Sequence, residues 1–149
     1  MGLLYEEFHV GQEFPTESLI VTREGIAAFA ELTGDDNPLH TDPAYARKAG
    51  FPDVIAHGPY VQALAIGLSA KTRLMTGTTI ALLGISAEFR RATVAGDELH
   101  AIIRISKKRP TSNPGRGIVY RRIDVLNQDD TVVAAISATA LMRRAAPAA

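Results

Sequence analysis

The segment 60–75, YVQALAIGLSAKTRLM, limits the fold of this chain more than any other part of the sequence. Its first half consists almost entirely of apolar and small residues, and Lys71 and Arg73 lie near its end. This pattern predicts a mostly buried helix, because an apolar helix must be covered and cations are favourable at a helix C-terminus. A membrane span needs about 20 apolar residues. We therefore expect the rest of the chain, rather than lipid, to cover this helix.

After Gly77 the sequence is typical of β-strands to its end. The turn residues 128–130 predict a hairpin between the last two strands, and 111–117 predict a longer connection between the preceding pair. The predicted strands are 79–90, 97–108, 117–127 and 131–144. The second of them alternates apolar and polar residues, with Leu99, Ala101, Ile103 and Ile105 on one face. We expect an antiparallel meander with one covered face.

Three further elements are predicted before the long helix. Residues 12–21 read as an edge strand, limited by Pro15. A helix begins after Thr22, runs through Leu32 and stops at Gly34, and a short helix begins at Asp42-Pro43 and ends at Gly50. Together these elements predict an α+β fold, a single domain of residues 1–144 whose antiparallel sheet wraps around the long apolar helix, as in the hot-dog fold. We expect residues 145–149 to be a disordered tail.

Composition excludes few functions but narrows the chemistry. The 149 residues include 16 Lys plus Arg and 16 Asp plus Glu, so net charge favours neither nucleic acid nor an acidic membrane surface. Cysteine is absent, which excludes disulfides, thiolate metal ligands and a Cys nucleophile. The four histidines show no grouped ligand spacing, so we expect no metal. The first residues do not read as a signal peptide, and we expect a cytoplasmic protein.

The loop 33–40, TGDDNPLH, places a carboxylate and an imidazole on a stiff backbone. Asp35 and His40 lie on either side of Pro38, which restricts its own conformation and that of Asn37. A carboxylate beside an imidazole, which titrates close to neutral pH, could hold and activate one water. The alternative is that the acids and Asn37 only cap turns and that His40 is a surface residue.

A second loop, with His57-Gly58-Pro59, immediately precedes the long helix. The N-terminus of a helix offers unpaired N–H groups and a partial positive charge, and Gly58 lets an oxygen approach the backbone closely. Such a donor could stabilise an oxyanion. The alternative is an ordinary glycine turn with Pro59 in the first helical turn and His57 as packing.

Three segments together resemble the MaoC-like dehydratases, the (R)-specific enoyl-CoA hydratase family. They are 30–46 (AELTGDDNPLHTDPAYA), 51–58 (FPDVIAHG) and 107–128 (KKRPTSNPGRGIVYRRIDVLNQ). They occur in the family's order, and the stretch from the first to the last of them spans most of the chain. The combination of GDxNPxH with a later HG is the specific part of the resemblance.

The resemblance implies a hydratase that adds water across the 2,3 double bond of an enoyl thioester. Asp35 and His40 are then the catalytic pair, and Gly58 N–H binds the thioester oxygen. Asn37 holds the loop and, with His57, belongs to the oxyanion and substrate-binding group. The implied substrate carries coenzyme A or acyl-carrier pantetheine, with no other cofactor. The family also implies a homodimer or larger homo-oligomer.

Two departures from the family pattern concern carbonyl binding. Pro59 has no N–H, so only Gly58 of that pair can donate. Some members carry a serine about two turns into the buried helix, where this chain has Ile66 and Gly67. Gln62 and Ser69 lie on the same predicted helix.

A basic cluster is the candidate for binding phosphate groups of coenzyme A. Its members are Lys107, Lys108, Arg109 and Arg116. Cations of this kind bind phosphate well, but a solvated strand end explains them equally. The pairs Arg90-Arg91 and Arg121-Arg122 lie on strands with alternating faces, so one member of each pair can point inward.

Two other functions remain open on the sequence. A hot-dog thioesterase shares the fold and the thioester substrate, but it usually needs an acidic group on the long helix, and residues 60–76 contain none. A non-catalytic hot-dog subunit would have lost the pair Asp35–His40, which is present. The sequence predicts neither the length of the acyl chain nor the carrier.

Overall fold

The computed structural model describes residues 1–145 and confirms the α+β class. A 3-10 turn at Tyr5–Glu7 precedes the main elements. The helices are α1 (Arg23–Thr33), α2 (Pro38–Thr41), α3 (Pro43–Lys48) and α4 (Gly58–Lys71). The strands are β1 (Glu13–Pro15), β2 (Leu19–Ile20), β3 (Thr79–Phe89), β4 (Glu98–Pro110), β5 (Arg116–Leu126) and β6 (Val132–Arg143). The predicted tail falls largely on residues 146–149, which lie outside the described residues.

The first two predicted helices form where their caps indicated. The Thr22 hydroxyl accepts from Gly25 N–H at 3.0 Å, and α1 ends at Gly34, whose φ of 79° is in the left-handed region. The Asp42 carboxylate accepts from the first N–H groups of α3. The short helix α2, which contains His40, was not predicted.

The long helix begins two residues earlier than predicted and ends four residues earlier. Pro59 fits the first turn of α4 because it lacks an N–H. The helix stops at Lys71, since the Thr72 hydroxyl donates to Ser69 O at 2.6 Å and Arg73 has a φ of 61°. The predicted strand 12–21 is also divided, into β1 and β2, and both pair with β4.

The strand order corrects the predicted meander. The sheet runs β1-β4-β5-β6-β3, so only β4, β5 and β6 form a meander. β3 pairs with β6 instead of β4 because the segment 90–97 carries the chain past the start of α4, where Ile55 bridges to Val94. The outer edge of β3 has no strand partner among the described residues.

The sheet covers α4 with one face, as the alternating pattern of β4 predicted. Val61, Ala65 and Leu68 of α4 are buried, together with the inward residues of β4 and β5. The inward residues of β4 are Leu99, Ala101, Ile103 and Ile105, all completely buried. No helix within residues 1–145 is long and apolar enough to cross a membrane.

A β-bulge at Ser106 changes which side chains face the core beyond it. Ile105 pairs with Arg121 and Lys107 pairs with Tyr120, so Ser106 is an extra residue in β4. Lys107 therefore lies on the outer face, and Lys108 points inward beside Val119. On β5 the same alternation places Arg121 inward and Arg122 outward.

Candidate active site

The loop between α1 and α2 holds its shape through its own polar groups. The Asn37 side chain accepts from Leu39 N–H at 3.1 Å and so caps α2. The Thr41 hydroxyl donates to Asp36 O at 3.2 Å. Asn37 N–H lies 3.5 Å from Asp35 Oδ1, which is long for a hydrogen bond. Asn37 contacts its own loop, whereas the carboxylates of Asp35 and Asp36 are exposed in the single chain.

His40 is oriented by a backbone carbonyl from the second loop. Its Nδ1 lies 2.7 Å from Ile55 O. Because a carbonyl only accepts, Nδ1 must carry the proton, and the neutral ring then has an unprotonated Nε2. The ring also stacks on His57, with centroids 3.8 Å apart. His40 thus presents a nitrogen that can accept or return a proton.

His57 links the two loops and is almost completely buried. Its Nε2 donates to the backbone oxygen of Asp35 at 2.9 Å, and its ring contacts Phe29 at a centroid distance of 4.9 Å. Only 1% of the side chain is exposed, and Nδ1 has no partner among residues 1–145. The ring N–H is therefore used to hold the backbone of Asp35. His57 was predicted to belong to the oxyanion and substrate-binding group, but its neutral ring has no donor left for a substrate.

Gly58 lines the same cavity as His40. The cavity has a volume of about 340 Å³, and Phe89 and Val133 also line it. Gly58 N–H has no acceptor within the described part of the chain, as expected for the first residue of a helix. A Cβ at this position would lie 2.8 Å from the Phe89 ring, so glycine permits the close approach of that ring.

Asp35 and His57 come together with His40, which lines this cavity. One carboxylate oxygen and one ring nitrogen from each histidine lie within 4.8 Å of one another. Such a set resembles a metal site, but His57 uses Nε2 for the Asp35 carbonyl and its Nδ1 is buried. Two ligands then remain, one fewer than a catalytic zinc site takes. The arrangement suits a water held between a carboxylate and an imidazole.

An ion pair fixes the second loop to α1. Arg23 binds both carboxylate oxygens of Asp53, with Nη2 to Oδ2 at 2.6 Å, and Asp53 also accepts from Val54 N–H. The hydrogen bonds from Arg23 are the largest cause and lower the pKa of Asp53 below its usual value. Burial opposes them with a smaller effect, and the Val54 N–H adds a still smaller lowering.

The predicted basic cluster lies away from this cavity within one chain. Val133 lines the cavity, and at about 3.3 Å per strand residue Arg116, which pairs with Arg143, is on the order of 30 Å from it. Lys107 and Arg109 contact Tyr120 on the outer face. Lys108 donates to three backbone oxygens, those of Tyr5, Glu6 and Phe8, and so ties the N-terminal segment to β4.

Arg90 and Arg91 are the cations that line the cavity beside His40 and Gly58. Both are exposed, and Arg90 lies 3.4 Å from Glu88. The sequence pattern identified them only as a pair with opposite faces. Arg90 and Arg91 lie at the cavity because β3 pairs with β6, which brings the end of β3 to the start of α4. The alternation of apolar and polar residues along a strand does not predict which strand it pairs with.

Comparison with known proteins agrees with this geometry. The model of the family described as MaoC like domain matches residues 7–125. The (R)-specific enoyl-CoA hydratase of Aeromonas caviae is 37% identical over 84 residues, which are 56% of this chain and 61% of that protein. The matched stretch thus covers less than two thirds of that relative.

Solved structures show the same architecture. The unliganded R-hydratase PhaJ1 from Pseudomonas aeruginosa superimposes with a TM-score of 0.81 at 30% identity, over 97% of this chain and 88% of that one. A conserved hypothetical protein from Mycobacterium tuberculosis with a double hotdog fold gives 0.88 at 23% identity, over 99% of this chain and 46% of that one. The present chain therefore has the hot-dog fold, and it belongs to the MaoC-like domain family.

Proposed function

We propose that this protein hydrates trans-2-enoyl thioesters to (R)-3-hydroxyacyl thioesters and catalyses the reverse dehydration. The main support is the environment of His40. Its Nδ1 is held by Ile55 O, which leaves Nε2 unprotonated in the neutral ring, and a ring nitrogen of His40 lies within 4.8 Å of a carboxylate oxygen of Asp35. The unpaired Gly58 N–H lines the same cavity. A base, an acid and an oxyanion donor are the groups that this addition requires.

In the proposed reaction Asp35 and His40 hold one water between them. The water oxygen bonds to C3, and one of its protons passes to the pair. The electrons of the double bond move toward C2 and the thioester oxygen, where Gly58 N–H stabilises the negative charge. C2 then takes a proton from the pair on the same face, so one water is added and the side chains return to their starting state.

The phosphates of a coenzyme A carrier fit Arg90 and Arg91 better than the predicted basic cluster of the same chain. Both guanidinium groups lie at the cavity that holds His40, whereas Lys108 is already bound to three carbonyl oxygens. Arginine binds phosphate with two N–H groups at once. Lys107, Arg109 and Arg116 remain available to a carrier bound by a second subunit.

A homodimer is part of the proposal. β3 is an 11-residue edge strand, and apolar side chains along it are exposed in the single chain. These side chains are Ile80, Leu82, Leu83, Ile85 and Phe89. A long apolar edge of this kind is normally covered, and covering it would also enclose the cavity beside Phe89.

The test is hydration of crotonyl-CoA, followed as loss of enoyl absorbance. We expect Asp35→Asn and His40→Ala each to lower kcat by about 100-fold or more, the usual effect of losing a general acid or base. Asp36→Asn is the matched control, because Asp36 is an exposed acid in the same loop, and it should retain nearly full activity.

Hydration that persists in both Asp35→Asn and His40→Ala would contradict the proposed mechanism. Release of free thiol without hydration would instead indicate a thioesterase. A wild-type dimer with neither activity would indicate a non-catalytic subunit.

A further inference from the structure

Arg121 is a buried cation without a carboxylate partner. Only 8% of the residue is exposed, although it lies in the middle of β5. Nη1 donates to Ser69 Oγ at 3.2 Å, whereas Nε is buried and has no acceptor among residues 1–145. Burial lowers the pKa of the guanidinium, but arginine remains charged in proteins. A buried charge of this kind is costly unless an anion pairs with it.

The side chain of Arg121 lines a second cavity, of about 320 Å³, between α4, β3 and β6. Its walls are mostly apolar, with Ile66, Leu82 and Ala140 among them, and Ser69 is the buried hydroxyl. Arg73, an exposed residue two positions after the end of α4, adds a second guanidinium. No carboxylate lines this cavity within the described part of the chain. The cavity therefore has mostly apolar walls that suit an acyl chain, and the charged side chains that line it are both positive.

One stripe of α4 connects this cavity with the catalytic one. Gly58, Gln62, Ile66 and Ser69 follow one another at helical spacing along α4. Phe89 of β3 lies against Gly58 at one end of the stripe, and Leu82 lines the second cavity at the other. The axial distance from Gly58 to Ser69 is about 16 Å. An extended chain covers about 3.5 Å per three bonds, so an acyl chain of about 14 bonds has the length to reach from Gly58 to Ser69.

We propose that Arg121 binds a carboxylate at the far end of the acyl chain, so that the protein prefers enoyl thioesters of dicarboxylic acids. This inference rests on the proposed hydratase function. A guanidinium and a carboxylate match in geometry, with two parallel hydrogen bonds. A methyl-terminated chain of the same length would leave Arg121 desolvated and unpaired, so the site also selects against ordinary fatty acyl chains.

The test compares two trans-2-enoyl-CoA substrates of equal length, one ending in a carboxylate and one in the neutral carboxamide, over a series of chain lengths that includes about 14 bonds. Wild-type protein should hydrate the carboxylate substrate with a kcat/KM about tenfold or more above that of the carboxamide, at the chain length that reaches Arg121. In Arg121→Met the ratio should fall to about one. Arg122→Met is the matched control, since Arg122 lies on the opposite face, bound to Asp124, and should keep the wild-type ratio.

The preference for a terminal carboxylate and the hydratase function on which it rests are tested by different substrates. Crotonyl-CoA is too short to reach Arg121, so its hydration by wild-type protein reports the proposed function alone. Hydration of crotonyl-CoA with no preference for the carboxylate at any chain length overturns the inference and leaves the function standing. The ratio of kcat/KM between the carboxylate and carboxamide substrates is measured first on wild-type protein. The inference can therefore be overturned even if Arg121→Met does not fold. A preference that persists in folded Arg121→Met also overturns it.

Discussion

The two histidines of the site have different roles, because each uses a different ring nitrogen for its hydrogen bond to a backbone carbonyl. His40 donates from Nδ1 and keeps Nε2 available, whereas His57 donates from Nε2 and buries Nδ1. The sequence placed both in candidate loops, and the resemblance grouped His57 with substrate binding. Which nitrogen each ring uses depends on carbonyls 15 and 22 residues distant, at Ile55 and Asp35, and no local pattern predicts such contacts.

Removal of the His57 hydrogen bond should affect the rate more than the binding of substrate. His57→Phe keeps an aromatic ring against His40 and Phe29 but loses the bond to Asp35 O. We expect kcat to fall about tenfold with little change in KM, and a loss of about 1 kcal/mol in the free energy of unfolding. Steady-state kinetics and denaturant unfolding measure the two effects. An unchanged kcat would show that Asp35 needs no anchor.

Gly58 should not tolerate even a methyl group while Phe89 stays in place. In Gly58→Ala the new Cβ would lie 2.8 Å from the Phe89 ring, which must move within the cavity. We expect kcat/KM for crotonyl-CoA to fall by about 100-fold, because the oxyanion donor is displaced. The second-site change Phe89→Leu removes the clash and should restore part of the activity. A double variant as impaired as Gly58→Ala would mean that the glycine is needed for another reason.

The elements position the site by bringing two helix ends together. The end of α1 leads into Asp35, and the start of α4 presents Gly58. The ion pair of Arg23 with Asp53 fixes α1 to the loop before α4. Caps and stop signals predicted α1 and α3 correctly because they are local. They missed α2, whose four residues are too few for a periodic pattern.

This ion pair should make stability depend on acid pH. The folded-state pKa of Asp53 is lower than its unfolded value, so its contribution is complete above the ordinary aspartate value of ~3.9 and is lost as pH falls through the lowered folded value. Asp53→Asn should therefore be less stable than wild type at pH 7, and the difference should shrink at strongly acid pH. Unfolding free energies over that range measure it. Asp129→Asn, at an exposed turn, is the control and should show neither effect.

In the whole molecule, the sequence predicted the positions of the strands better than it predicted which strands pair with each other. Alternation identified the covered face of β4, where Leu99 and Ile103 are completely buried. It could not predict that β3 crosses to β6, because pairing over a long connection depends on how segment 90–97 passes α4. For the same reason the cations near the catalytic cavity, Arg90 and Arg91, were found only in the fold.

The exposed edge of β3 should hold two subunits together. In Leu83→Lys a charge replaces a leucine that is 52% exposed on this edge. We expect wild-type protein to sediment with the mass of two chains or more and the variant to shift toward one chain, with reduced hydration of crotonyl-CoA. Leu32→Lys, at an exposed leucine of α1, should leave the mass unchanged. A wild-type monomer would contradict this part of the proposal.

The bulge at Ser106 also determines how this chain can tolerate a deletion. Because Ser106 is the extra residue, a chain without it would pair Ile105 with Arg121 and Lys107 with Tyr120 in one regular ladder, so Lys107 would stay on the outer face and Lys108 would stay inward. Lys108 would then still be available to the carbonyl oxygens of the N-terminal segment. The bulge thus makes this end of the sheet tolerant of the loss of one residue, Ser106. Loss of a residue before Ile105 would instead drive Arg104 into the core.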